Sequence, residues 1–260
     1  MSFGANEVAE ALHAARQKRV RVEKLPAEIA PRTEAEGAEA QHALARRVGA
    51  TPPGGFKIGA TAKRMQEYLG LSGPAAGFMV EGDLHKSGAV LRFADFLHPG
   101  VECELAVRLA RNLPPGPCTA DEAAEAVGEL FAAIEIVENR YGELAEVGTP
   151  TLIADQMFHA AAVLGEAGTR NWRELDVGAL HGNITVDGHR RDEGVGADLM
   201  GHPMNCLAWL ASSPVADAFG GLKAGQVVML GSVTPPVWLS GPASVTVTFE
   251  RLPPVQVRLS

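Results

Sequence analysis

The sequence predicts an α+β protein, a mixed β-rich core behind a small N-terminal helical region. Three observations predict it. Helical periodicity is concentrated at the start, over residues 5–18 and 33–48. From TPPGGFKIGAT onward, short apolar or alternating runs bounded by Gly and Pro dominate, with only a few helices between them. Strands and helices do not alternate in regular βαβ units, which argues against a doubly wound parallel sheet. The boundary falls near residue 50: residues 1–50 form the helical region and 51–260 the β-rich core, within one structural domain overall.

The elements follow in order. The second helix begins behind Pro31, with Thr33 as N-cap and Ala40, Leu44 and Val48 at helical spacing. The link KLPAEIAPRT separates it from the first helix. A short strand is expected over Phe56–Gly59, and another over most of GVECELAVRL at 100–109, where Val101, Leu105, Val107 and Leu109 favour extended backbone. Thr119 and Glu122 form a capping-box pair that opens a helix expected to reach about Leu130. AAIEIV at 132–137 reads as a buried strand. ALHGNITVDGHRRDEG reads as a hairpin turning at Asp187-Gly188, a type I′ signal. GHPMNCLAWLA starts a helix at Pro203, LKAGQVVMLG is a turn and strand, and ASVTVTF alternates as a strand.

Composition narrows the function classes. With 31 acidic against 23 basic residues, net charge −8, the chain lacks the basic surface that nucleic acid requires. Neither a dinucleotide-binding glycine fingerprint nor a phosphate-binding loop is present, so no nucleotide cofactor is expected. Cys103, Cys118 and Cys206 match no zinc spacing and read as reduced thiols. The first residues lack the apolar centre of a signal peptide, and no apolar run approaches the length that spans a bilayer, so a soluble cytoplasmic protein without membrane contact is expected.

The chemistry-bearing feature is Glu102 and Glu104, two residues apart inside one strand. Side chains alternate along a strand, so both point to the same face, roughly 7 Å apart at their roots. Two anions there can be accommodated by water, by a basic residue, or by a cation between them. Glu135, flanked by Ile134 and Ile136 in the buried-looking strand, is costly to bury unless it is paired or ligates a metal. Arg140 is the salt-bridge partner nearest in sequence. Three carboxylates without sulfur or imidazole make an all-oxygen set suited to Mg²⁺, Mn²⁺ or Ca²⁺, and three ligands leave positions open for a chelating substrate.

These motifs resemble the fumarylacetoacetate hydrolase superfamily, and within it the 2-keto-4-pentenoate hydratase and 4-oxalocrotonate decarboxylase branch. The likeness covers about residues 50–250. It rests on GFKIGAT (55–61), GFMVEGDL (77–84), VECELAVRL, AAIEIVENR (132–140), ADQ (154–156), GHPMNCLAWLA (201–211) and LKAGQVVMLGSVT (222–234), in that order. The resemblance implies a fumarylacetoacetase C-terminal-like β-roll, a homo-oligomer, and Glu102, Glu104 and Glu135 as ligands of Mg²⁺ (or Mn²⁺). It implies that Lys57 and Asp83 carry protons, with Glu81 able to stand in for Asp83. Gln156 and Thr234 would contact substrate. On the residues alone, Lys57 is either a surface lysine or a desolvated one with a lowered pKa, and Asp83 is either a loop acid or functional. The implied reaction is hydration of a 2-hydroxy-2,4-dienoate to a 4-hydroxy-2-oxo acid, as in aromatic catabolism. A decarboxylase or C–C hydrolase of the same superfamily is the alternative. A catalytically silent ligand-binding relative is another.

Several positions depart from the branch. Where its hydratases carry Asp-Asn-x-Ser, this chain reads Asp155-Gln156-Met157-Phe158, an aromatic ring for a hydroxyl, with His159 next and read as a structural histidine. Glu-Pro-Glu becomes Glu102-Cys103-Glu104, with Cys103 on the opposite strand face as an inert thiol. Thr234 is followed by two prolines. His202 is expected to serve the start of its helix rather than a metal. His181, His189, Arg190 and Arg191 are expected in solvent, and Trp209 in the core.

Overall fold

The computed structural model describes residues 3–165 and 171–260, without the side chains of Arg64 and Tyr68. In chain order, two helices, α1 (Ala5–Lys18) and α2 (Glu34–Arg47), precede β1 (Gly55–Gly59), α3 (Lys63–Leu69), β2 (Ala75–Met79), β3 (Leu84–Lys86) and β4 (Ala89–Leu91). There follow the long strand β5 (Pro99–Leu109), α4 (Ala120–Ala126), the long strand β6 (Val127–Glu138), α5 (Leu144–Val147), α6 (Thr149–Ala154) and β7 (His159–Leu164). The chain closes with the hairpin β8 (His181–Val186) and β9 (His189–Val195), α7 (Pro203–Ala211), α8 (Pro214–Ala218), β10 (Val227–Ser232), β11 (Val237–Trp238), β12 (Ala243–Phe249) and β13 (Val255–Leu259).

Local chemistry accounts for most of these boundaries. The Thr33 hydroxyl accepts the Glu36 N–H and starts α2. Thr119 and Glu122 close a reciprocal capping box at α4. That helix ends at Ala126, short of the expected Leu130, because β6 takes the chain from Val127 and pairs with β5 over its whole length. The β8–β9 turn has positive φ at both Asp187 (50°) and Gly188 (79°), the type I′ geometry. The His202 Nδ1 accepts the Met204 N–H at the start of α7, as its position before Pro203 predicts.

The main sheet runs β2-β1-β10-β5-β6-β7-β3, with β11 against β5. Strands β2 and β3 are opposite edges of this sheet, yet only residues 80–83 separate them in the chain. The sheet therefore curls until its edges meet, the half-barrel of a β-roll. Its inner face carries a compact apolar plug that includes Met79, Ala106, Phe131, Ala133 and Met229. The outer face packs on the helices and on a second sheet, β4-β13-β12-β8-β9, through the larger core. The N-terminal helices are tied to the roll by buried polar contacts: Gln41 donates to Ala76 O and Ile153 O and accepts from Phe78 N.

Candidate metal centre and its cavity

The three acids converge because of strand register. Glu102 pairs directly with Glu135 across β5 and β6, and Glu104 lies two residues on, so all three share the inner face of the roll. One carboxylate oxygen of each lies within 4.8 Å of the others. Glu104 and Glu135 are buried and Glu102 is half-buried. From β1, Lys57 reaches the same point: its Nζ is 3.2 Å from Glu135 Oε1, and its side chain is 3% exposed. The same oxygen lies 2.9 Å from His159 Nδ1. Glu104 Oε2 accepts the Gly231 N–H at 3.0 Å. Glu135 Oε2 is buried with no hydrogen-bond partner among the described residues.

This changes two sequence expectations. Arg140 does not pair with Glu135; its guanidinium is held by Asp155 (2.7 Å) and Glu138. Burial acts to lower the Lys57 pKa, but Glu135, Glu102 and Glu104 outweigh it and hold the ammonium above the ordinary lysine value, opposite to the lowered pKa expected from desolvation alone.

The electrostatics test the fit to a cation. Burial, reinforced by Glu135, pushes the Glu102 carboxyl up to about 8. Burial and then Glu135 and Glu102 push Glu104 well above the carboxylate range. Burial works the same way on Glu135, but Lys57 and His159 hold it below its ordinary value. One ammonium thus faces three clustered carboxylates, and the excess negative charge that raises Glu102 and Glu104 is of the kind a dication would offset. Hard oxygen donors, an excess of negative charge and the unpartnered Glu135 Oε2 fit a hard divalent ion, with Glu102, Glu104 and Glu135 holding it.

Beside the cluster opens a cavity of ≈ 240 Å³ reached by Lys57 and Glu102. Its walls are largely apolar, with Met65 and Leu69 from α3, Val137, Leu144, Met157, Phe158, Pro236 and Trp238, and with Asn139 and His98 as polar members. Trp238 crosses β5 opposite Gly100, where a Cβ would meet the indole at 2.8 Å, and its ring stacks on His98 at 4.9 Å. A wider groove of ≈ 630 Å³ shares Leu69, Asn139 and Leu144 with this cavity.

The wall residues Met157 and Phe158 are set by an unusual turn. Gln156, Met157 and Phe158 all have positive φ (61°, 46° and 66°), a conformation costing non-glycine residues about 1 kcal/mol or more each. Asp155 anchors the turn. Its buried carboxylate accepts from Arg140 Nε (2.7 Å), Arg16 Nε (2.7 Å) and Tyr141 Oη (2.9 Å). Gln156 donates to Phe78 O at 2.7 Å, and its backbone rests where a Cβ on Gly77 would clash at 2.5 Å. Phe158 packs edge-on against Tyr141.

The other sequence candidates lie apart from the cavity wall. Asp83 is half-buried on a 3₁₀ turn (Glu81–Asp83), its carboxyl raised by burial against the opposing effect of His159, His85 and Arg16. Glu81 is exposed on the same turn and its carboxylate lies over Gly54. Gln156 donates an amide N–H to Phe78 O while its Oε1 has no hydrogen-bond partner among the described residues, and Thr234 is buried with its hydroxyl 3.5 Å from Ser232 Oγ; neither lines the cavity. Cys103 is buried on the opposite strand face, where burial pushes its thiol up and keeps it inert. His181, His189, Arg190 and Arg191 are exposed. Sequence reasoning missed His159 as a partner of Glu135, and it missed the wall residues Trp238, His98 and Asn139. For His159 the signal was its place at the start of a strand directly behind the Asp155 turn.

Comparison with known proteins agrees with this geometry. The model of the fumarylacetoacetate (FAA) hydrolase C-terminal family matches residues 60–260. The chain is 30% identical over 206 residues to a 2-keto-4-pentenoate hydratase of Paraburkholderia phymatum, covering 79% of this chain and 78% of the relative. It is 30% identical over 200 residues to a 4-oxalocrotonate decarboxylase of a Pseudomonas species, covering 76% and 75%. The fold superposes with TM-score 0.90 on a 4-oxalocrotonate decarboxylase from Pseudomonas putida G7 complexed with magnesium and adipate, at 22% identity over 98% of this chain and 97% of that one.

Proposed function

As the chain belongs to the fumarylacetoacetate hydrolase family, we propose that it is a divalent-metal-dependent hydro-lyase. It adds water to a 2-hydroxy-2,4-dienoate of the 2-keto-4-pentenoate type, giving a 4-hydroxy-2-oxo acid. The observation that carries this reading is the convergence of three inward-facing carboxylates, one ammonium and an apolar-walled cavity at one point of the roll. Glu102, Glu104 and Glu135 would hold Mg²⁺ or Mn²⁺. When bound there, the ion supplies a Lewis acid for the carboxylate and 2-oxygen of a 2-oxo acid, stabilising its enolate.

The chain's own residues do the rest. Lys57, fixed against Glu135, presents a cation and a transferable proton to the cavity. Val137, Leu144, Met157 and Phe158 line the cavity, hold the hydrocarbon part of the substrate and limit water to the reacting face. Asp83, whose carboxyl keeps its proton more readily than usual and lies within electrostatic range of His159, is the second proton carrier of the proposal. Assembly into a homo-oligomer is part of the same proposal.

One observation favours the decarboxylase as the second reading. With Phe158 in the cavity wall, a remote carboxylate would sit in apolar surroundings, which favour its departure as neutral CO₂ while the electron pair of the broken C–C bond passes into the conjugated 2-oxo acid as a dienolate. Incubation of the Mg²⁺-loaded protein with 2-hydroxypentadienoate and, separately, with an oxalocrotonate-type diacid tests both. Loss of dienol absorbance with a hydroxy-oxo-acid product supports hydration. CO₂ release from the diacid alone replaces it with decarboxylation, and binding without turnover of either leaves a silent relative.

A further inference from the structure

His159 opens β7, where the pairing with β6 shifts register between Ile136 and Val137. Such an irregularity re-aims a side chain, and here the imidazole lies on the buried acid cluster, 1% exposed, with Nδ1 2.9 Å from Glu135 Oε1. An ionised carboxylate only accepts, so Nδ1 carries the hydrogen in this contact. Lys57 approaches the same oxygen at 3.2 Å. One carboxylate oxygen is therefore held from two sides, while Oε2 is buried and without a partner among the described residues. The terminal torsion of a glutamate is broad and does not lock itself. With Lys57 as the sole donor the carboxylate could pivot and share both oxygens with the ammonium; a second donor on Oε1 prevents that.

We propose that His159 is a positioning residue of the metal centre: its Nδ1–H pins Glu135 so that Oε1 faces Lys57 and Oε2 is presented to the dication. The inference rests on the metal-binding reading of Glu102, Glu104 and Glu135. It assigns a role that neither the carboxylate set nor Lys57 requires.

The test is titration of metal-free protein with Mg²⁺ and Mn²⁺ by calorimetry, alongside melting curves. His159→Ala is expected to weaken binding about 10–100-fold, the usual effect of removing a hydrogen-bond partner of a ligand. His159→Asn places an amide N–H close to the Nδ1 position and is expected to restore affinity to within about threefold. A purely structural histidine would lower the melting temperature in both variants and leave metal affinity alone. Should the alanine variant not fold, His159→Gln decides, since its longer amide does not superpose on Nδ1. Weak binding by Gln beside near-normal binding by Asn supports the role, and equal affinities overturn it. Unchanged affinity in folded His159→Ala also overturns it while leaving the metal centre intact. Absence of binding by the unsubstituted protein overturns both the centre and the role built on it.

Discussion

Lys57→Met removes the ammonium and keeps most of the stem. In the structure Lys57 is 3% exposed and touches only one oxygen of the cluster, Glu135 Oε1, which His159 also holds. Breaking a buried ion pair costs about 3–5 kcal/mol. The lower end applies here, because Glu135 keeps a donor. At about 2–4 °C per kcal/mol for a chain of this size, the metal-free variant should melt about 6–12 °C lower. Loss of a positioned proton carrier costs about 10²–10⁴ in rate, or about 3–5.5 kcal/mol of activation free energy. Metal affinity should hold within a few-fold, because Lys57 contributes no ligand oxygen. The assay is decay of dienol absorbance with the Mg²⁺-loaded protein, beside calorimetric titration of Mg²⁺ into the metal-free one. Turnover and affinity falling in parallel would refute the assignment, and so would turnover that survives the substitution.

Three further outcomes are expected. Chelation should abolish turnover, and Mg²⁺ at 100 times its Kd should stabilise the fold by about 2.7 kcal/mol, a rise of about 5–10 °C that Glu104→Gln should erase; a melting curve indifferent to Mg²⁺ would rule out the site. Asp155→Asn should cost about 3–5 kcal/mol in urea unfolding, since it removes the anion that the buried Arg140 and the half-buried Arg16 share and leaves Arg140 with Glu138 alone. Burial acts to raise the Asp155 pKa, but Arg140 and Arg16 hold it below the usual value. The unfolded chain therefore binds a proton first as pH falls, so this stabilisation is present above about pH 4 and lost below it. The Asn variant should show a flatter loss between pH 6 and 3, and identical slopes would contradict the account. Phe158→Ser should give up the edge-on contact with Tyr141, about 0.5–1.5 kcal/mol, and widen the cavity. KM should then fall for dienoates with a bulkier tail relative to 2-hydroxypentadienoate, and an unchanged ratio would remove Phe158 from the specificity wall.

Local signals carried much of the fold. The caps at Thr33 and Thr119, the Asp187-Gly188 turn and Pro203 each act within three or four residues, so their elements could be read directly. The end of α4 could not, because residues 127–130 were claimed by pairing with β5, a partner some 20 positions earlier. The Asp155 turn was equally opaque. Three consecutive non-glycine residues at positive φ run against local preference and persist only under tertiary anchors from Arg16, Arg140, Tyr141 and Phe78.

By itself the sequence determined the class of chemistry. Acids two apart on a strand must share a face, and a glutamate among isoleucines must find a partner, whatever the fold. Only the tertiary structure decided which partner. Strand register set Glu102 against Glu135, the curl of the sheet brought Lys57 from β1 to the same oxygen, and a slip in the β6–β7 pairing brought His159 beside it. It also set Trp238 and Phe158 into the cavity wall. Hydrogen bonds and ion pairs act over about 3 Å, and distances of that order between residues a hundred positions apart are fixed by packing of the whole chain.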